Sequence, residues 1–94
     1  MKHQLEFLPR ARRQLNSLPD RLRAEVVQLI IELQYEPRPL IAESLRDQYT
    51  GVLKIKVDGW RIFYKVDDSA ATVRVLNIKL RDRNTYLSLY SIFF

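Results

Sequence analysis

From His3 to Leu8 polar and apolar residues alternate, with Leu5 and Phe7 on one side, which predicts a short first strand stopped by Pro9. The period then lengthens. Between Arg10 and Leu18, Ala11, Leu15 and Leu18 fall on one helical face while Arg10, Arg12, Arg13 and Gln14 lie mostly on the others. Pro19 and Asp20 punctuate the chain. After them Leu22, Val26, Leu29 or Ile30, and Leu33 recur at spacings of three and four up to Glu36, where Pro37 forbids continuation. This second helix is the clearest element, and Val27 and Ile31 widen its apolar stripe as expected of a helix that lies on a sheet and meets a neighbouring helix.

Pro37 to Tyr49 has no firm periodicity and reads as a loop with a turn around Ile41 to Leu45. Alternation returns over Val52 to Val57 and Trp60 to Asp67, joined by Asp58-Gly59, a dipeptide favoured in tight hairpin turns because both positions tolerate positive φ. A second turn at Asp68 to Ala71 leads into a strand from Thr72 to Leu80. Beyond Arg81-Asp82-Arg83-Asn84, Thr85 to Phe94 reads as a short helix or an unpinned tail. The predicted architecture is α+β: an N-terminal strand, a two-helix hairpin, then an antiparallel sheet of three further strands, with a short C-terminal helix or tail. It forms one domain over 1–94, with the helices packed on one sheet face.

Strand parity sorts the charges. Lys54 and Lys56 share a face opposite Ile55 and Val57. On the next strand Arg61, Phe63 and Lys65 share a face, opposed by Ile62, Tyr64 and Val66. Either could be buried; if the latter three join Ile55 and Val57 against the helices, Arg61 lands beside the two lysines. On the last strand strict alternation puts Val73, Val75, Asn77, Lys79 and Arg81 on one side and Leu76, Ile78 and Leu80 on the other. Arg81 then closes the same face. Basic residues on exposed strand positions also serve to discourage edge pairing, but convergence of several on one ordered sheet predicts a fixed anion site, with phosphate the first candidate. Trp60 and Tyr64 read as core or core edge, and the Arg10, Arg12, Arg13 cluster as a solvated helix face open to nonspecific phosphate contacts.

Composition narrows the chemistry. With 47% hydrophobic and 29% charged residues the chain is globular, and a net charge of +5 favours a polyanionic partner. The absence of cysteine excludes disulfides, zinc–thiolate sites and thiol nucleophiles, and fits a cytoplasmic protein. No signal-peptide core or apolar run of membrane-spanning length, about 18 residues, is present. His3 has no matching histidine and there is no Gly-rich phosphate loop, so neither a metal nor a cofactor is expected.

The segments L-K-I-K-V-D-G-W-R-I-F-Y and K-L-R-D-R-N-T-Y, with L-N-S-L-P between the helices, L-x-x-x-P from Leu33 to Pro37 and the Leu45-Arg46 pair, resemble the RelE branch of the RelE/ParE superfamily of bacterial toxins over nearly the whole chain. The resemblance implies a ribosome-dependent endoribonuclease that cuts mRNA in the ribosomal A site and is neutralised by an antitoxin protein, whose complex also binds operator DNA. It places the two catalytic lysines at Lys54 and Lys56, the arginines at Arg61 and Arg81, and a stacking tyrosine at Tyr86, with Tyr90 as its possible substitute. Lys65, Lys79, Arg83 and Tyr90 become candidate substrate contacts. Leu53 stands where an aromatic often precedes the first lysine, and Lys79-Leu80 replaces a glycine-containing pair.

Such cleavage needs the 2′-OH deprotonated, the phosphorane stabilised and the leaving 5′-oxygen neutralised. A lysine crowded by like charges is a usable general base, so either lysine fits the first task, Arg61 the second and Arg81 the third. A stacked base would align the 2′-OH for in-line attack. The site is underbuilt for free RNA, which predicts that the ribosome supplies the reactive mRNA geometry. The apolar tail L-S-L-Y-S-I-F-F is expected to pack on the sheet or to form part of an antitoxin groove. Two other readings share these residues: a ParE-like toxin that poisons DNA gyrase without RNA chemistry, against which the paired lysines argue, and a noncatalytic nucleic-acid-binding domain.

Overall fold

A computed structural model describes residues 2–80, and Arg81, Arg83, Tyr86 and Tyr90 lie outside them. The chain runs β1 (Gln4–Phe7), α1 (Pro9–Asn16), α2 (Asp20–Leu33), β2 (Glu43–Ser44), a 3₁₀ turn (Asp47–Tyr49), β3 (Val52–Val57), β4 (Trp60–Asp67) and β5 (Thr72–Leu80). The strands form one sheet in the order β1-β5-β4-β3-β2. It is mixed: β1 runs parallel to β5, and the other pairings are antiparallel. The α+β class is as expected, and β3, β4 and β5 keep the limits read from alternation. The tight turn is also as expected, Asp58 and Gly59 both having positive φ, 46° and 79°.

The first two elements differ at their ends for local reasons. Pro9 does more than stop β1: it is the first residue of α1, where a missing N–H costs no hydrogen bond. Helix α2 ends at Leu33 and not at Glu36. Just past its end the Gln34 side-chain amide donates to the His3 carbonyl at 2.9 Å, and the His3 N–H donates back to the Gln34 carbonyl at 2.8 Å. The α2 terminus is thereby tied to the start of β1.

The main core lies between the helices and one sheet face. Ala11, Leu15 and Leu18 pack with Val26 and Ile30 of α2 against Ile62, Val75 and Ile78. Leu33, Ile55, Tyr64 and Val73 continue it toward the other end. Ile31 stays 41% exposed, so the apolar stripe of α2 is narrower than its sequence predicts. The Tyr64 hydroxyl donates to the Pro37 carbonyl at 2.7 Å, anchoring the segment after α2 to the sheet.

Strict alternation fails once, in β5. Phe63 of β4 opposes Asn77 whereas Tyr64 opposes Val75, so Leu76 is an extra residue and forms a β-bulge. On its N-terminal side Val73 and Val75 face the helices, contrary to the expected parity; on its C-terminal side Ile78 faces them, and Asn77 and Lys79 fall on the opposite face. Leu76 itself joins Val52 and Phe63 in a small second core on that opposite face, flanked by Leu8, Leu45 and Tyr49. The face away from the helices is therefore partly apolar and not wholly cationic.

Candidate nucleic-acid interface

Directly opposed residues on neighbouring strands share a sheet face, so the register builds the site row by row. Lys56 opposes Arg61, and Arg61 opposes Lys79. This gives a row of three cations across β3, β4 and β5, on the face away from the helices. The adjacent row runs Glu43, Lys54, Phe63, Asn77. Lys54 lies two residues from Lys56 on one strand and so stands beside the cationic row. Lys54, Lys56, Arg61 and Lys79 are thus brought together as the sequence pattern predicts.

Lys65 is not part of the group. It shares the face but lies four residues along β4 from Arg61, with buried Phe63 between, and it opposes Val52 and Arg74. Arg74 is engaged by Glu6 at 3.0 Å. Two residues per pleat repeat put Lys65 about 13 Å along the strand from Arg61, beyond the reach of one phosphodiester.

Burial grades the cations. Lys54 is 8% exposed and Arg61 9%, whereas the Lys56 side chain is 52% exposed. Lys54 opposes the buried Phe63, and Arg61 stands two residues from Phe63 on the same face of β4, so both covered cations rise from a firm part of the sheet. Arg10, Arg12 and Arg13 belong to α1 and stay exposed; the Arg12 guanidinium stacks over the Phe7 ring at 4.8 Å.

One residue of this site escapes sequence reasoning: Glu43. Its Oε2 lies 3.5 Å from the Lys54 Nζ and its Oε1 3.5 Å from the Lys56 Nζ. The ammonium of Lys54 first, and that of Lys56 next, hold the Glu43 carboxyl below the usual carboxylate range. Glu43 sits on β2, a two-residue strand inside the segment expected to be a loop, and no alternation marks it, since Glu43 and Ser44 are both polar and exposed.

Asn77 is 1% exposed, and among the described residues its side-chain carbonyl has no hydrogen-bond partner. His3 places Nε2 3.5 Å from Asp68 Oδ1, and Arg38 donates to both Asp68 oxygens at 3.2 and 3.0 Å. That cluster ties β1, the β4–β5 turn and the segment after α2 together, at the opposite end of β4 from the Lys56–Arg61 pair. Among the described residues no group of three or more His, Cys, Asp or Glu is arranged to hold a metal ion, and no helix is long and apolar enough to cross a membrane.

The family model for the ParE toxin of type II toxin–antitoxin systems, parDE, matches residues 5–85. Toxin RelG of Mycobacterium tuberculosis is 32% identical over 82 residues, which span 86% of this chain and 93% of that protein. In the crystal structure of the toxin–antitoxin complex RelBE2 from the same organism, a chain 30% identical superposes with a TM-score of 0.76, covering 86% of this chain and 100% of that one. A mutant of the Escherichia coli toxin RelE in the free state superposes with a TM-score of 0.77 at 26% identity, covering 97% of this chain and 93% of that one.

Proposed function

The chain belongs to the ParE toxin family of type II toxin–antitoxin systems, and from that premise we propose that it is a RelE-type, ribosome-dependent endoribonuclease that inhibits translation by cutting mRNA in the ribosomal A site. The observation that carries this reading is the convergence of Lys54, Lys56, Arg61 and Lys79 on one sheet face. A gyrase-binding toxin has no need of such a phosphate-sized cationic cluster, and the relatives at 26 to 32% identity are RelE and RelG toxins and a chain of a RelBE2 complex.

In this mechanism the 2′-oxygen of the nucleotide before the scissile bond loses its proton to Lys54 or Lys56 and attacks the adjacent phosphorus. The P–O5′ bond breaks, leaving a 2′,3′-cyclic phosphate on one fragment, and the 5′-oxygen takes up a proton to become the hydroxyl of the other. Arg61 is placed to hold the nonbridging oxygens as charge builds on them, an interaction commonly worth about 3 to 4 kcal/mol per well-placed donor. Lys79, its cross-strand neighbour, adds a second cation on that side. Arg81 follows directly after β5 in sequence and is assigned to the leaving oxygen; Tyr86, or Tyr90 in its stead, is assigned to stacking on a splayed base. Lys65 is too far along the strand to share that phosphate and is assigned at most to a neighbouring nucleotide.

The site holds phosphate well but offers few groups to bend RNA into line, so a translating ribosome is required to present the substrate. A cognate antitoxin partner is expected, since a relative is found in a toxin–antitoxin complex. The family model's own name favours the second reading, a ParE-type toxin acting on gyrase. Primer extension on an mRNA during in vitro translation separates the two. Stops that require ribosomes support the nuclease; absence of stops together with inhibited gyrase supercoiling establishes the ParE-type activity instead.

A further inference from the structure

The lysine pair is already occupied. Each Glu43 oxygen takes one ammonium, Oε2 facing Lys54 and Oε1 facing Lys56, both at 3.5 Å. Two nonbridging oxygens of a phosphodiester present the same pattern: paired acceptors, shared negative charge, one cation for each. We propose that Glu43 is the resident counter-anion of this site, standing where the substrate phosphate binds and leaving when the phosphate arrives. The proposal rests on the reading of this face as the site of the scissile phosphate, where both lysines are ammonium groups as the phosphate arrives and one of them sheds its proton before it takes that of the 2′-OH.

Three features fit a displaceable anion better than a permanent structural pair. At 3.5 Å both contacts are longer than a charge-assisted hydrogen bond, about 2.7 to 2.9 Å, so no tight geometry has to be broken. Glu43 comes from a two-residue edge strand, and its side chain is 54% exposed with solvent to move into. Lys54, in contrast, is 9% exposed at its side chain and cannot follow it. An opposite charge beside a nearly buried ammonium offsets part of the cost of its burial, and Glu43 supplies one. The lowered pKa of the carboxyl keeps it ionised while it waits and makes it a poor acceptor for the 2′-OH proton.

The carboxylate therefore opposes every approaching phosphate until it swings away, and its removal should tighten RNA binding. The direct probe is a 2′-O-methyl trinucleotide, which cannot be cleaved, titrated at low salt into wild type and Glu43→Gln. The gain expected is about fivefold, the order set by one like charge a few ångström away under water-like screening. The gain should vanish in a Lys54→Met/Lys56→Met background. Inorganic phosphate should raise the melting temperature of Glu43→Gln more than that of wild type, because the ion replaces the missing carboxylate. Should Glu43→Gln fail to fold, Glu43→Asp keeps the charge but shortens its reach, and a smaller gain of the same sign is expected. On translating ribosomes KM for mRNA should fall by a similar factor. Unchanged or weaker trinucleotide binding would overturn the proposal, as would a loss of cleavage in Glu43→Gln as deep as that of the lysine variants, which would make the carboxylate the proton acceptor. If wild type cuts no mRNA yet Glu43→Gln still binds the trinucleotide more tightly, the counter-anion stands and the nuclease reading alone fails.

Discussion

On the helix-covered face of the sheet Ile62, Tyr64, Val75 and Ile78 are buried to 1% exposure or less, while the residues that alternate with them put Lys56, Arg61 and Lys79 in one row on the other face. Both faces are drawn from the same strands, so the difference is carried by parity alone. The first face buries apolar area and fixes the fold. The second holds like charges together beside a small apolar core of Val52, Phe63 and Leu76, and Glu43 offsets Lys56 and its neighbour Lys54. Stability on one side thus supports charge crowding on the other, a division common where a rigid scaffold positions reacting groups.

The comparison breaks most completely if the parity itself is changed. Deleting Phe63 would make Ile62 and Tyr64 neighbours on β4 and force one of them off the helix side; the expected outcome, by circular dichroism and size exclusion, is a chain that does not fold. Ile62→Ala weakens the helix side alone. Ile62 is wholly buried, so a loss of about 2 to 5 kcal/mol in urea unfolding is expected, with the folded fraction still binding RNA as wild type does. Tyr64→Phe removes only the hydroxyl that donates to Pro37 and should cost about 1 kcal/mol. Burial, only partly offset by the Arg38 guanidinium, pushes the Tyr64 phenol up to about 12. The folded state therefore holds this proton more tightly than the unfolded chain, whose tyrosines titrate near 10. Its contribution is full below about pH 10 and is lost as pH rises toward 12, a decline that Tyr64→Phe should abolish. Lys65→Ala, exposed and outside the cationic row, should change stability by no more than about 0.5 kcal/mol and RNA binding least of the sheet lysines.

Much of this was legible in the chain. The limits of β3, β4 and β5, the Asp58-Gly59 turn and the shared face of Lys54 and Lys56 follow from period-two patterning, because those strands pair locally; for Arg61 the pattern left both faces of β4 open, and burial of Ile62 and Tyr64 decides between them. What escaped depends on distant partners. The Leu76 bulge does leave a mark, the adjacent apolar Val75 and Leu76 at which the alternation changes phase, but strict parity carried across that step hides it; Lys79 reached the expected face only because the bulge reverses parity before it. Strand β2 is two residues long and exists through its pairing with β3, which hid Glu43 among exposed loop residues. The parallel placement of β1 beside β5 joins segments some seventy residues apart, and no local pattern encodes it.

The most direct test sets the two lysines against an equal charge loss elsewhere. In one primer-extension assay on translated mRNA, wild type is compared with Lys54→Ala/Lys56→Ala and with Lys2→Ala/Arg21→Ala, two exposed cations away from the basic row. Ribosome-dependent stops in wild type and the distant variant, lost by a factor of at least about 100 in the folded lysine variant, are the expected result. Stops of equal strength in all three proteins would contradict a reaction centred on the lysine pair.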